Sequence, residues 1–165
     1  MSSSNTQSER VTVLRPEDPA SGAAESNPVA APRMLIVDDI SDNRTILQRR
    51  FQRQGFEVTV ADGGEAGVRA LEGSTFDVML IDIFMPHMRG FESIRVFHER
   101  APEIPLIAMS GYAFASVDSP SPDFLGMTLE LGATLCLRKP FTPNALLAAV
   151  NECLAKPIAN AHLAK

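Results

Sequence analysis

The chain has 165 residues, and its 15 Lys and Arg against 20 Asp and Glu give a formal charge of −5. That length can bury a core without disulfide or metal staples, and a composition of 45% hydrophobic and 21% charged residues is that of an ordinary globular domain. The mild acidity speaks against nucleic acid as a partner, and neither a signal-peptide core at the N-terminus nor an apolar run of membrane-spanning length is visible, so no membrane partner and a cytoplasmic location are expected.

Residues 1–32 are rich in Ser, Ala and Pro, with only Val11-Thr12-Val13-Leu14 as an apolar stretch, and are expected to form a disordered tail. Met34-Leu35-Ile36-Val37 is a wholly apolar run, as for a strand covered on both faces. It ends in Asp38-Asp39. A helix is predicted over 42–54, capped by Ser41 or Asp42, with Ile46, Leu47, Arg50 and Phe51 on one face and Gly55 as its stop. Glu57 to Val60 reads as a second strand, and Asp62 is a candidate cap for a helix running to Leu71, stopped by Gly73. Val78 to Ile81 is a third strand, ending at Asp82. The helix after Met85-Pro86 places Phe91, Ile94 and Phe97 or His98 inward. Leu106 to Met109 is a fourth strand, ending at Ser110-Gly111, and a loop with Pro120 and Pro122 leads to a short helix over about 123–131. Thr134 to Leu137 is a fifth strand, ending at Arg138-Lys139-Pro140. Thr142 caps the last helix, Pro143 sits in its first turn, and Leu146, Leu147, Val150 and Leu154 form its stripe.

Short apolar strands joined by helical crossovers imply an α/β fold, a doubly wound five-stranded parallel sheet with helices on both faces. The domain is expected over 33–155, with a C-terminal tail over 156–165. Cys136 and Cys153 lack a CxxC arrangement and read as small core hydrophobes in a reducing compartment.

In such sheets the site lies beyond the C-terminal strand ends. There the strand assignments gather Asp38 and Asp39, Asp82, Ser110 and Lys139. Singly, an acid after a strand is often a helix cap, a serine a turn former and a lysine a solvated charge; five together on one edge are a site. Three close carboxylates repel one another. A hard divalent cation such as Mg²⁺ relieves that repulsion and pairs with phosphoryl oxygens. Lys139 would add a point charge, and Asp82 is the best-placed nucleophile for holding phosphate covalently.

These residues resemble the receiver domain of two-component response regulators. The motifs are Leu35-Ile36-Val37-Asp38-Asp39, Asp82 with Met85-Pro86 and Gly90, Met109-Ser110-Gly111, and Lys139-Pro140-Phe141. Asp38-Asp39 followed by Asn43-Arg44 looks most like receivers attached to hybrid histidine kinases. The resemblance implies a flavodoxin-like sheet of order 2-1-3-4-5. It implies that Asp82 accepts a phosphoryl group from a histidine kinase or histidine phosphotransferase. Asp38, Asp39, Asp82 and the Phe84 carbonyl would hold Mg²⁺, Lys139 would neutralise the phosphoryl charge, and Ser110 would switch toward it. The implied protein is a phosphorelay module and not an enzyme beyond its own phosphorylation and dephosphorylation, a monomer or weak homodimer acting on an unknown downstream protein target. With about ten residues after the last helix, a single-domain regulator is expected.

The chain departs from the family at three places. Cys136 stands where the family carries an aromatic switch residue, so switching is expected to rest on Ser110. Ser110 and Lys139 are 29 positions apart, more than the usual gap, with the excess in Ala113–Asp123. Phe84 and Tyr112 place bulky rings beside the site, where they would shield an acyl phosphate from water. Two rival readings remain: a partner-binding pseudo-receiver not controlled by phosphorylation, and a haloacid-dehalogenase-type hydrolase. The hydrolase needs a second acid two positions after the nucleophile, where this chain has Phe84.

Overall fold

The structure is a computed structural model, and it describes residues 29–85, 90–111 and 124–156. The expected tails, apart from residues 29–32 and Lys156, lie outside the described residues, as do Tyr112 and the Ala113–Asp123 loop.

Five strand–helix units follow in order: β1 (Arg33–Val37), α1 (Ser41–Arg53), β2 (Glu57–Ala61), α2 (Gly64–Gly73), β3 (Val78–Asp82), α3 (Gly90–Arg100), β4 (Leu106–Ser110), α4 (Phe124–Glu130), β5 (Leu135–Arg138) and α5 (Pro143–Ala155). All strand pairs are parallel and the sheet order is β2-β1-β3-β4-β5. This is the order that the resemblance to receiver domains implies.

Period-two alternation divides the apolar strands between two cores. Met34, Ile36, Leu80 and Met109 pack with Leu47 and Phe51 of α1 and with Leu146 and Val150 of α5. Leu35, Val37, Met79, Ile81 and Ala108 pack with Ile94 and Phe97 of α3, with Ala66 and Val68 of α2 at the margin. Both faces of β1 and β3 are therefore dry, which is why their sequences are continuous apolar runs. Cys153 lies in the first core and Cys136 against the second, on opposite faces of the sheet. Burial pushes the Cys153 thiol pKa up, as for a thiol that serves as a hydrophobe.

Several local expectations are corrected. Helix α1 is capped by neither Ser41 nor Asp42: Ser41 is already helical and Ile40 is the N-cap, without a side-chain bond. The carboxylate of Asp38 takes up the Ile40 N–H instead, at 2.9 Å. Ile46 does not join the core and is 65% exposed, at the rim of an α1–α5 groove also lined by Leu47, Arg50, Phe141 and Leu146. A 3.6-residue period directs Leu47 and Phe51 inward and swings Ile46 away. In the same region the Arg50 Nε is buried without a hydrogen-bond partner. Asp62 does not cap α2, because the helix starts two residues later with Gly63 as N-cap. Gly73 is the last helical residue of α2, not a stop beyond it. On α3, Ile94 and Phe97 are fully buried while Phe91 and His98 are half-buried.

Other signals hold in detail. Gly55 takes φ +89, its N–H bonds the Gln52 carbonyl and that of Phe56 bonds the Phe51 carbonyl. These two bonds and the Phe51–Phe56 ring contact at 5.3 Å form a Schellman cap on α1. Thr142 accepts a hydrogen bond from the Ala145 N–H at 3.1 Å, with Pro143 in the first turn of α5.

Candidate phosphoacceptor and metal site

The chain leaves β1, β3 and β5 at one edge of the sheet, and the residues at those exits meet. Asp38 is fully buried and Asp82 is 4% exposed, while Asp39 beside them is half-buried. Ligand oxygens of all three lie within 4.8 Å of one another. Lys139 reaches across from the end of β5, its Nζ 2.8 Å from Asp82 Oδ2 and 3.3 Å from Asp38 Oδ2. Burial works against the charge on Lys139, but the hydrogen bond to Asp82 and the charges of Asp82 and Asp38 outweigh it. Its pKa therefore stands above the ordinary lysine value.

The main chain completes the frame. The Phe84 N–H donates to Asp82 Oδ1 at 2.8 Å, so both oxygens of this carboxylate are oriented. Ser110, half-buried at the end of β4, is joined to the lysine by a bond from the Lys139 N–H to its carbonyl at 2.7 Å. The Lys139-Pro140 peptide is cis. The Phe84 ring is half-buried and lies over Gly111, where an added Cβ would be 3.9 Å from it.

Asp38, Asp39, Asp82 and Lys139 thus converge as expected from the sequence, with Ser110 and Phe84 beside them. Cys136 pairs in register with Ala108 and is half-buried against the α2–α3 face, three positions before Lys139. The Asn43 amide lies 3.3 and 3.5 Å from the two Asp38 oxygens, and the Arg44 guanidinium donates to the Asp38 carbonyl at 2.7 Å. The sequence marks these two as part of a family likeness without showing what they touch. Their signal is position: two polar residues in the first turn of the helix that follows the acids.

The donor set suits a hard divalent cation. Three carboxylates face one ammonium, which leaves two negative charges at an edge where Asp38 and Asp82 are shielded from water. All the ligand atoms are oxygens, the preference of Mg²⁺.

A family model described as the response regulator receiver domain matches residues 34–151. The chain belongs to this family. Among curated relatives of the receiver, the response regulator SaeR of Staphylococcus epidermidis is 32% identical over 123 residues, covering 74% of this chain and 50% of the relative. SaeR of Staphylococcus aureus is 30% identical over the same length and shares. The chain spans about half the length of the curated relatives it matches. Among solved structures, the CheY-like receiver domain protein of Methanospirillum hungatei matches with a TM-score of 0.67 at 30% identity, covering 75% of this chain and 94% of that one. The chemotaxis protein CheY4 of Vibrio cholerae matches at 0.65 and 28%, covering 76% and 100%. Among the described residues, no helix is long and apolar enough to cross a membrane.

Proposed function

We propose that this receiver takes a phosphoryl group onto Asp82 from a histidine kinase or histidine phosphotransferase and signals by a conformational change read by a protein partner. The observation that carries the reading is the bridge from Lys139 to Asp82 and Asp38 at the C-terminal edge of the sheet. An Asp82 carboxylate oxygen attacks phosphorus, the P–N bond of the phosphohistidine breaks, and its electron pair returns to the imidazole nitrogen. The product is an acyl phosphate. The chain contributes position and charge: the Phe84 N–H fixes the nucleophile, and Lys139 meets the phosphoryl oxygens. Asp38, Asp39 and Asp82, with the Phe84 carbonyl, would hold Mg²⁺. When bound, the ion would neutralise charge on the phosphoryl oxygens. Ser110 hydrogen-bonds a phosphoryl oxygen and draws its loop inward. Catalysis is limited to the protein's own phosphorylation and dephosphorylation, in the cytoplasm.

The test is incubation of the full chain with acetyl phosphate and Mg²⁺, followed by intact mass measurement. The expected result is one added phosphoryl group, absent in Asp82→Asn and absent when Mg²⁺ is chelated. An adduct that persists in Asp82→Asn overturns the assignment.

A further inference from the structure

We propose that Asn43 and Arg44 are positioning residues for the cation site, acting through Asp38; the inference rests on the Mg²⁺ reading above. Asp38 is the fully buried acid of the cluster, and its N–H is tied to the Ala61 carbonyl of β2 at 3.2 Å. Its carboxylate accepts from the Ile40 N–H at 2.9 Å, from Lys139 at 3.3 Å, and from the Asn43 amide at 3.3 and 3.5 Å. Its carbonyl accepts from Arg44 at 2.7 Å.

Of these contacts, the one with Lys139 is transient in the proposed reaction. The ammonium lies closer to Asp82 than to Asp38, and in that reaction it would turn to the phosphoryl group arriving on Asp82. Among the described residues, the Asp38 oxygens then keep the donors supplied by the turn into α1 and its first turn. Those donors are well chosen. Asn43 straddles both carboxylate oxygens at long distances, steering the group without cancelling the charge that a cation needs. Arg44 fastens the main chain at the strand-to-helix turn and leaves the carboxylate uncovered. Helix α1 is itself held by Leu47 and Phe51 in the core and by its Schellman cap, so both donors project from a rigid element. Outer partners of this kind typically change metal affinity by about 10- to 100-fold.

The experiment is isothermal titration calorimetry of the full chain with Mg²⁺, with thermal melts in parallel. Asn43→Ala is expected to weaken Mg²⁺ affinity about tenfold. Arg44→Ala is expected to act in the same direction, and Arg44→Lys, which keeps one donor for the carbonyl, to recover part of the loss. In an Asp38→Asn background neither substitution lowers affinity further, because the carboxylate that Asn43 steers, and whose main chain Arg44 fastens, has lost its charge. Should Arg44→Ala fail to fold, Asn43→Ala carries the comparison. Variants that melt earlier yet bind Mg²⁺ like wild type overturn the positioning role alone, as does an effect undiminished in the Asp38→Asn background. A wild-type chain that takes up no Mg²⁺ overturns the cation site and this inference together.

Discussion

Gly67 offers a stability test whose sign follows from contacts. It lies midway along α2, where alanine exceeds glycine in helix propensity by about 1 kcal/mol. A Cβ built there would stand 2.6 Å from Phe97 Cζ, 2.9 Å from Phe97 Cε1 and 2.9 Å from Val37 Cγ2. Both neighbours are fully buried and belong to different elements, so no single side-chain rotation opens the space. Overpacking of this kind costs about 1–3 kcal/mol. With the propensity gain of about 1 kcal/mol set against that cost, Gly67→Ala should lose up to about 2 kcal/mol net, a fall in Tm of up to about 8 °C. Gly73 is the control, at the end of the same helix with nothing within 4 Å of a built Cβ. Gly73→Ala should gain about 0.5–1 kcal/mol. Urea unfolding of both variants, with m-values compared, separates propensity from packing. If the two midpoints moved in the same direction by similar amounts, the claim that α2 docks through the missing Cβ of Gly67 would be refuted.

Further outcomes are expected. Thr142→Ala removes the bond to the Ala145 N–H and should cost about 1 kcal/mol in the same assay. Because the folded pKa of Lys139 is raised, its charge contributes stability fully below the ordinary lysine value of about 10.4. That contribution is lost as pH climbs through the folded value, so wild type should show an alkaline loss missing in Lys139→Met; superimposable pH profiles would contradict the bridge. Phe84→Asn should shorten the lifetime of the acyl phosphate severalfold, followed by intact mass after removal of the donor; an unchanged decay would deny the ring a shielding role. Ser110→Ala should reduce the amide shifts that phosphorylation produces, read by NMR. If it leaves them intact, and Cys136→Tyr does too, switching does not run through Ser110.

Much of the fold is legible because the β1, β3 and β4 runs are short, apolar throughout and each followed by a chemically loaded residue. A strand dry on both faces leaves no other pattern, and the rule that sites lie past strand ends then collects Asp38, Asp82 and Lys139. Where the reading fails, tertiary demands override local rules. Ser41 and Asp62 look like caps because their side chains can cap, but the turn after β1 is organised by Asp38, and α2 begins only at Gly64. Ile46 looks inward on spacing alone, since apolar character does not reveal the rotation of α1 about its axis. The sequence around Gly67 gives no sign of why a glycine stands there, since the reason is the approach of Phe97, 30 positions later in the chain. Asn43 and Arg44 carry no intrinsic sign that they face Asp38, since that depends on how the first turn of α1 sits over the end of β1.

The bond from the Lys139 N–H to the Ser110 carbonyl, one step beyond the register pair Ser110–Arg138, makes the two residues a single lever. A shift of the β4 end that draws Ser110 inward must either carry the lysine backbone along or release its amide. In the proposed mechanism, one amide proton, at Lys139, would therefore gauge the switch: its exchange rate would distinguish a rigid edge that moves as a block from one that unlatches when the acceptor is loaded.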